Sequence, residues 1–171
     1  MRGLWPLLLL AGLAAALAIW APSRQYLEGR LYNNIGSAYA RGILVGKSAD
    51  QATHWYRAAA ERGSAAGQFN LGYALQKGAG IPRDEDAAAI WYKRAARQGM
   101  PEAANNLAML YANPAQGRPN LVLARVWLKR GLPVASGDLE ATMRENLAAM
   151  EHDMKPADLA ASESALADSD L

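Results

Sequence analysis

The sequence contains two histidines, His54 and His152, as candidates for acid–base or metal chemistry. Neither is followed three or four residues later by a second metal-ligating side chain, so helical spacing provides no metal site. His152 adjoins Asp153, but adjacency alone is a weak signal for a nucleophile system. The chain has no Gly-x-Ser-x-Gly motif and no cysteine. We therefore predict no catalytic residue, no metal and no cofactor.

Two other motifs resemble parts of binding or catalytic sites but are better explained as helix boundaries. The segment 78–80, Gly-Ala-Gly, resembles part of a phosphate-binding loop, yet no strand precedes it and no Lys-Ser or Lys-Thr pair follows. We interpret it as a turn between two helices. The acidic run 84–86, Asp-Glu-Asp, follows Pro82 and is typical of a helix start, where negative charge stabilises the helix dipole. These acids are predicted to cap rather than to catalyse.

Composition favours helices, and the charge distribution argues against a nucleic-acid partner. Of the 171 residues, 51% are hydrophobic with a single Phe, so the apolar fraction depends on Ala and Leu. Residues 1–150 hold 17 basic and 10 acidic residues, whereas residues 151–171 hold one Lys and six acids. The basic residues are spread over successive helices beside Asp and Glu, which is typical of a solvated helix surface. We predict no nucleic-acid partner.

The N-terminal segment is predicted to enter a membrane. No charged residue occurs from Gly3 to Ala21, and 19 helical residues would span about 28 Å, close to the thickness of the hydrocarbon layer. A cleaved signal peptide remains an alternative. Cleavage after Ala18 would leave Ile-Trp at the new N-terminus, and cleavage after Ala21 would place Pro22 beside the cut bond. We therefore favour an uncleaved anchor over residues 1–22.

The remaining chain repeats itself every 36 residues. Four positions recur in three copies. They include the rare residue Trp as well as Gly and Asn, so chance agreement is improbable. These positions are Asn34, Asn70 and Asn106; Ile35, Leu71 and Leu107; Gly36, Gly72 and Ala108; and Trp55, Trp91 and Trp127. We place the repeats at about 29–64, 65–100 and 101–132, within a domain from 23 to 132.

Helical periodicity predicts that each repeat is a hairpin of two helices. Asp84 is the predicted N-cap of one second helix, and Gly99 is predicted to end it. Gly36 and Gly72 lie inside helices, where glycine costs about 1 kcal/mol relative to alanine, so we expect a partner helix to approach closely there. The three recurring tryptophans are predicted to fill the space between neighbouring hairpins.

The middle repeat resembles a known repeat family. Residues 70–75 read NLGYAL, residues 77–84 read KGAGIPRD, and residues 88–99 read AAIWYKRAARQG. This combination is similar to the Sel1-like repeat, a relative of the tetratricopeptide repeat. The first copy departs from the pattern in its loop, and the third departs further, with Ala108 for the Gly and Leu128 for the Tyr. The resemblance implies a short α-solenoid that acts as an adaptor or assembly scaffold.

The predicted fold is therefore all-α: a short right-handed α-solenoid of about three helical hairpins, preceded by a transmembrane or signal helix. Residues 133–171 are predicted to form a C-terminal capping helix and an acidic tail. Leu139, Met143, Leu147 and Met150 recur at helical spacing after a candidate cap at Ser136 or Asp138, and Pro156 could open a last short helix. A solenoid needs such a cap, because its last hairpin otherwise exposes an apolar face.

A partner-binding groove is predicted on the first helix of each repeat, about 100° from the Leu-Gly packing face. By analogy with tetratricopeptide-like solenoids, amides on this face would bond to a peptide backbone and larger side chains would provide apolar contacts. An equal alternative is that Phe69 and Tyr73 only pack against the neighbouring hairpin. The predicted groove residues are Asn33, Ser37, Arg41, Phe69, Tyr73, Gln76, Asn105 and Met109.

These features predict a non-enzymatic protein–protein interaction scaffold that binds a protein or peptide segment at a bacterial cell envelope. A single-pass anchor in the inner membrane, with the body in the periplasm, is the predicted location. A soluble periplasmic or secreted protein is the alternative if the segment is cleaved. Two other functions stay open. One is a structural spacer that supports a membrane complex, and the other is a secreted hydrolase built on the repeats.

Overall fold

The computed structural model describes residues 24–115, 117 and 119–167, and these residues form α-helices joined by short loops without any strand. The segment 1–22, predicted as an anchor or signal, lies outside them. Among the described residues, no helix is both long and apolar enough to span a bilayer. The helices are α1 (Arg24–Arg41), α2 (Ala49–Glu61), α3 (Ala65–Lys77), α4 (Glu85–Arg97), α5 (Pro101–Ala112), α6 (Leu121–Gly131), α7 (Gly137–Asp153) and α8 (Pro156–Leu166), with a 3-10 turn at Leu132–Val134 between α6 and α7.

Three helical hairpins stack in sequence order to form the solenoid. Helix α1 packs on α2, α3 on α4 and α5 on α6, while the contacts of α2 with α3 and of α4 with α5 join successive hairpins. This arrangement confirms the prediction of an all-helical, solenoid-like fold. The apolar core is continuous from α2 to α7, where Met143 and Met150 are buried.

The same local hydrogen bonds recur at the 36-residue interval and define the hairpins. Each second helix begins at a residue whose side chain accepts a bond from a backbone N–H three residues later, which satisfies a free donor of the first turn. The backbone N–H of that residue also donates to a carbonyl near the end of the preceding helix, and this bond closes the loop. The capping residues are Ser48, Asp84 and Asn120, and the carbonyls belong to Tyr39, Leu75 and Tyr111.

The predicted cap and stop of α4 are both confirmed. The Asp84 carboxylate accepts a hydrogen bond of 2.9 Å from the backbone N–H of Ala87. Gly99 follows α4 with φ of 84°, a left-handed conformation that glycine adopts without steric cost. This turn lets Met100 donate to the carbonyl of Ala95 and so reverses the chain toward α5.

The helical glycines make room for a tyrosine ring on the second helix of the same hairpin. A Cβ placed on Gly36 would lie 2.7 Å from Cδ1 of Tyr56, and a Cβ on Gly72 would lie 2.9 Å from Cδ1 of Tyr92. Both distances are shorter than carbon–carbon contact allows. The predicted close approach is therefore present, and the tyrosine ring lies at the contact together with the backbone of the facing helix.

The third hairpin changes both members of this pair. Ala108 stands at the position of the two glycines, and Leu128 stands at the position of the two tyrosines. Both side chains are fully buried. Because leucine is smaller than tyrosine, it leaves space for the extra methyl group of alanine. The two departures that marked this repeat as degenerate in the sequence are a matched substitution in the structure.

The recurring tryptophans do not form the uniformly buried ladder that the sequence predicted. Trp127 is 2% exposed, but Trp55 and Trp91 are only partly buried. Trp55 packs against Tyr32 with ring centroids 5.3 Å apart, and the guanidinium of Arg94 lies 4.5 Å from the ring centroid of Trp91. Trp127 lies on α6, which packs against the C-terminal helices α7 and α8 as well as against α5.

The C-terminal helices close the solenoid around a buried arginine. Arg125 of α6 is 5% exposed, and its guanidinium donates to Glu151 (2.6 Å), Ser162 (2.7 Å) and Glu163 (2.6 Å). These acceptors lie on α7 and α8, so one side chain joins both helices to the third hairpin. The hydrogen bond from Arg125, aided by Lys129, lowers the pKa of Glu163. The predicted capping helix and the helix opened by Pro156 are α7 and α8.

Candidate functional site on the first-helix face

The predicted groove residues lie on the side of the solenoid formed by α1, α3 and α5, which we call the first-helix face. None of them is fully buried. Tyr73 is 47% exposed and Arg41 is also exposed. The others are partly buried, namely Asn33, Ser37, Phe69, Gln76, Asn105 and Met109. The face is therefore accessible, but most of its side chains also contact the solenoid.

The amides of this face link neighbouring helices. Asn70 on α3 donates to the side-chain oxygen of Asn33 on α1 at 2.8 Å, and Asn146 on α7 donates to that of Asn105 on α5 at 3.3 Å. The first bond joins the first helices of two successive repeats, and the second joins α5 to the capping helix α7. Bonding of these amides to a peptide backbone stays a prediction, and it would have to use the polar atoms that these internal bonds leave available.

Gln76 and Phe69 both contact the buried side chain of Tyr92. The Tyr92 hydroxyl donates to the Gln76 side-chain oxygen at 2.9 Å and accepts from Asn106 at 3.3 Å. Phe69 packs on the Tyr92 ring with centroids 5.7 Å apart. Burial raises the pKa of Tyr92 to about 12, so its hydroxyl stays protonated and acts as a donor. Phe69 therefore packs on the second helix of its own hairpin, and a role for it in partner binding stays a prediction.

Tyr73 borders a cavity of about 350 Å³ between the first and second hairpins. Alanines form much of its wall, which gives it a mainly apolar character. Asn70, Thr53, Tyr56 and Lys47 add polar groups at its border. The complete lining is Ala40, Lys47, Ala49, Ala52, Thr53, Tyr56, Asn70, Tyr73, Ala74 and Ala79. Sequence reasoning identified Tyr73 but missed the cavity, because its walls come from three helices and two loops.

The tyrosine that lines the cavity is less covered than its equivalent in the second repeat. In the second hairpin Phe69 covers the Tyr92 ring, which has no exposed surface. Asn33 stands at the position of Phe69 in the first hairpin, and it is too short to cover Tyr56 in the same way. Tyr56 therefore stays partly exposed and lines the cavity. The position of Gln76, which bonds to the Tyr92 hydroxyl, also differs, because the first hairpin has Ala40 there and this alanine lines the cavity.

Comparison with known proteins identifies the repeats. The Sel1 repeat pattern matches three consecutive segments, 31–64, 65–100 and 101–131, which together make up more than half of the chain. The chain belongs to the Sel1 repeat family. Sel1 repeat proteins generally mediate protein–protein interactions and are typically non-catalytic scaffolds. No curated protein matches this chain.

Two crystal structures of Sel1 repeat proteins resemble the fold. One is c5321, a protective antigen present in uropathogenic Escherichia coli strains displaying an SLR fold, with 31% identity and a TM-score of 0.69 over 81% of this chain. The other is a Sel1 repeat protein from Oxalobacter formigenes, with 32% identity and a TM-score of 0.62 over 76% of this chain. This chain spans 29% and 53% of the lengths of those two chains.

One basic residue borders the cavity between the first two Sel1 repeats, and two more follow its lining residues in the chain or contact one of them. Lys47 borders it, Lys77 lies with its Nζ 5.9 Å from the centroid of the Tyr73 ring, and Arg41 ends α1. None of these three side chains forms an ion pair with any residue that the structure describes. Helix α3 carries no acidic residue, and the one acid of α1, Glu28, bonds to Arg24 and Arg62. Helix α2, which also lines the cavity, carries Asp50 in its first turn, next to the lining residue Ala49.

The histidines and acidic residues that the sequence offered for chemistry do not come together in one site among the residues that the structure describes. His54 is exposed beside the Trp55 ring, and His152 is exposed with Asp153 at 3.0 Å. Within the described ranges, no cluster of three or more His, Asp or Glu residues could hold a metal. Glu85 bonds to Arg83 and to the backbone N–H of Ala115, and the Arg83 bond is the main reason that its pKa is lowered.

Proposed function

We propose that this protein is a non-enzymatic interaction scaffold that binds an extended protein segment at the cavity between its first two Sel1 repeats. The observation that carries the proposal is the combination of an apolar cavity, an exposed tyrosine and basic side chains without ion-pair partners among the described residues. Interfaces depend on a few aromatic or arginine contacts beside a pocket, and the Tyr73 border of this cavity has that character.

The chemistry of the cavity favours a particular kind of segment. Its volume of about 350 Å³ is at the lower end of ligand pockets, which suits one large apolar side chain better than a folded surface. Lys47, Lys77 and Arg41 favour carboxylates on either side of that residue. We therefore expect an acidic segment with a Phe, Tyr, Trp or Leu anchor. Asn70 is well placed at the border to bond to its backbone.

We also propose that the scaffold works at a bacterial cell envelope. The support is the uncharged stretch from Gly3 to Ala21, which is long enough to cross a membrane. The body would then lie in the periplasm beside the inner membrane. Fractionation of cells, followed by N-terminal sequencing, tests this location independently of binding. A soluble species that begins after residue 18 or 21 would show cleavage and contradict the anchor.

Selection from a random peptide library, followed by titration of the selected peptides, tests the binding site. We expect the library to yield acidic peptides with an aromatic or Leu anchor. Tyr73→Ala should weaken their binding by about 2 kcal/mol, roughly thirtyfold, as at an interface hot spot. Lys77→Glu should also weaken binding and reduce its dependence on salt, because it removes an attraction to the carboxylates.

Matched controls separate the cavity from the rest of the solenoid. Ile90→Ala removes another exposed apolar side chain, at 54% exposure, and Lys155→Glu reverses an exposed charge near the C-terminus. Neither should change peptide affinity. Asn105 is a poor probe because its replacement also removes the partner of Asn146. Equal affinity of the Tyr73→Ala and wild-type proteins, with both folded by circular dichroism, would refute this site.

A further inference from the structure

The first hairpin exposes an unusual amount of apolar surface on the side where the solenoid begins. Most of the large apolar side chains that are exposed in the described residues belong to α1 or to the loop that follows it. We call this surface the N-terminal face. Its members, with their exposed fractions, are Tyr26 (49%), Leu27 (52%), Leu31 (56%), Ile43 (48%), Leu44 (100%) and Val45 (37%).

The second repeat shows what the same positions contact when a hairpin precedes them. Gly67 takes the place of Leu31, and a Cβ on it would lie 2.5 Å from the Cβ of Ala59 on α2. Ala79 takes the place of Ile43, and its carbonyl accepts a 2.7 Å hydrogen bond from Thr53. These positions are small in the second repeat because the preceding α2 packs directly on them.

The large residues of the first repeat cannot accept the same neighbour. Gly80 takes the place of Leu44, and even a Cβ on Gly80 would overlap the carbonyl of Ala49. A leucine at this position, and another at Leu31, would collide with a helix docked as α2 is docked on the second repeat. The N-terminal face is therefore not a surface for another Sel1 hairpin, whether from this chain or from a second copy stacked end to end.

The backbone conformation of Leu44 indicates that this residue has a role other than stabilising the fold. Its φ of 66° lies in the left-handed region, where a residue with a Cβ is strained and where its equivalent, Gly80, has φ of 68°. The side chain is fully exposed, so no burial against the described residues offsets that strain. A strained and wholly exposed aliphatic residue at a loop tip indicates a contact with something beyond the described chain.

The charge and the position of this face indicate what it contacts. Residues 24–48 contain four basic residues and one acid, so the apolar side chains lie among positive charges. The uncharged stretch from Gly3 to Ala21 ends only two residues before α1. A segment with apolar side chains and flanking Arg and Lys residues is suited to the interface of an anionic bilayer.

We propose that the N-terminal face lies on an anionic lipid bilayer, with the side chains of Ile43, Leu44 and Val45 inserted among the headgroups. This inference rests on the proposed membrane attachment of residues 1–22. Helix α1, about 27 Å long, would lie along the membrane surface. The contact would fix the orientation of the solenoid, so that the cavity between the first two repeats is held near the bilayer.

The absence of cysteine allows a direct test on the full chain. Leu44→Cys and, as the control, Val134→Cys each provide a single labelling site, and Val134 is 57% exposed at the other end of the repeats. Each variant is labelled with an environment-sensitive fluorophore and reconstituted in phosphatidylcholine–phosphatidylglycerol vesicles that contain brominated lipid. We expect a blue shift and strong quenching at position 44 and neither at position 134. Omitting phosphatidylglycerol should reduce the quenching at position 44.

The possible outcomes separate this inference from the anchor. Co-sedimentation of both labelled proteins with vesicles, without quenching at position 44, would overturn the inference while leaving the anchor intact. Failure of both proteins to co-sediment would reject the anchor and the lipid contact together. A blue shift at position 44 without lipid, which grows as the protein concentration is raised, would show that a second copy of the chain covers this face and would overturn the inference. Equal quenching at positions 44 and 134 would also refute a specific contact.

Discussion

The pairing of glycine with tyrosine in the first two repeats leads to a quantitative prediction. Gly72→Ala should gain about 1 kcal/mol of helix propensity but lose about 1–3 kcal/mol to overpacking, because the new methyl group meets the Tyr92 ring. The ring cannot move away easily, since Phe69 packs on it and its hydroxyl is bonded to Gln76 and Asn106. We therefore expect Gly72→Ala alone to destabilise the protein by about 1 kcal/mol.

The same change should become favourable when the tyrosine is also replaced. Tyr92→Leu on its own should cost about 2–4 kcal/mol through lost burial and the loss of two hydrogen-bond partners. In that background the methyl group added at position 72 fills part of the space, as at the Ala108 and Leu128 positions of the third repeat. A double-mutant cycle should then give a coupling free energy of about 1–3 kcal/mol between positions 72 and 92.

Urea unfolding followed by circular dichroism measures the four free energies of unfolding. Gly72→Ala combined with Met150→Leu is a suitable control, because Met150 lies on α7 in the capping region and the two changes should be additive. Additive effects of Gly72→Ala and Tyr92→Leu would refute the matched-pair explanation. Such a result would mean that the third repeat differs at two unrelated positions.

Four further predictions concern the stability of the fold. Trp127→Ala should lower the free energy of unfolding by about 3–5 kcal/mol, and Trp91→Ala by clearly less, because only Trp127 is fully buried; equal losses in urea unfolding would contradict this. Leu44→Gly should raise the urea unfolding midpoint slightly or leave it unchanged, because relief of the left-handed backbone strain offsets the greater entropy that glycine gives the unfolded chain. A marked fall of the midpoint would show that this leucine stabilises the fold. Arg125→Ala should destabilise the protein by about 2–4 kcal/mol and increase proteolysis of α8, as measured by mass spectrometry of cleavage products. The pKa of Glu163 is lowered in the folded state, so its ionised carboxylate stabilises the fold above a pH of about 4.5, and this stabilisation is lost as the pH falls through the folded pKa. Glu163→Gln should therefore make the thermal unfolding midpoint less sensitive to acid.

The sequence alone determined the repeat length, the helical hairpins and several of their ends. Asp84 and Gly99 could be assigned because an N-cap and a left-handed stop depend on bonds within a few residues along the chain. The recurrence at 36 residues identified the solenoid for a similar reason, since every repeat must present the same surface to its neighbours. Gly36 and Gly72 also indicated a close approach before any contact partner was known.

Only the tertiary structure decided which side chains are central and where the surface opens. The tyrosine one residue after each recurring tryptophan occupies the middle of the first two hairpins, a difference in helix rotation that the spacing along the sequence does not resolve. The cavity beside Tyr73 lies between two hairpins, and its walls combine residues 40–79 from both of them. The role of Leu44 likewise became apparent only by comparison with Gly80, whose close contact with the preceding hairpin shows that the first repeat cannot pack against another such hairpin. Such features depend on which elements lie beside one another in space, and that arrangement follows from the packing of the whole solenoid rather than from any local segment.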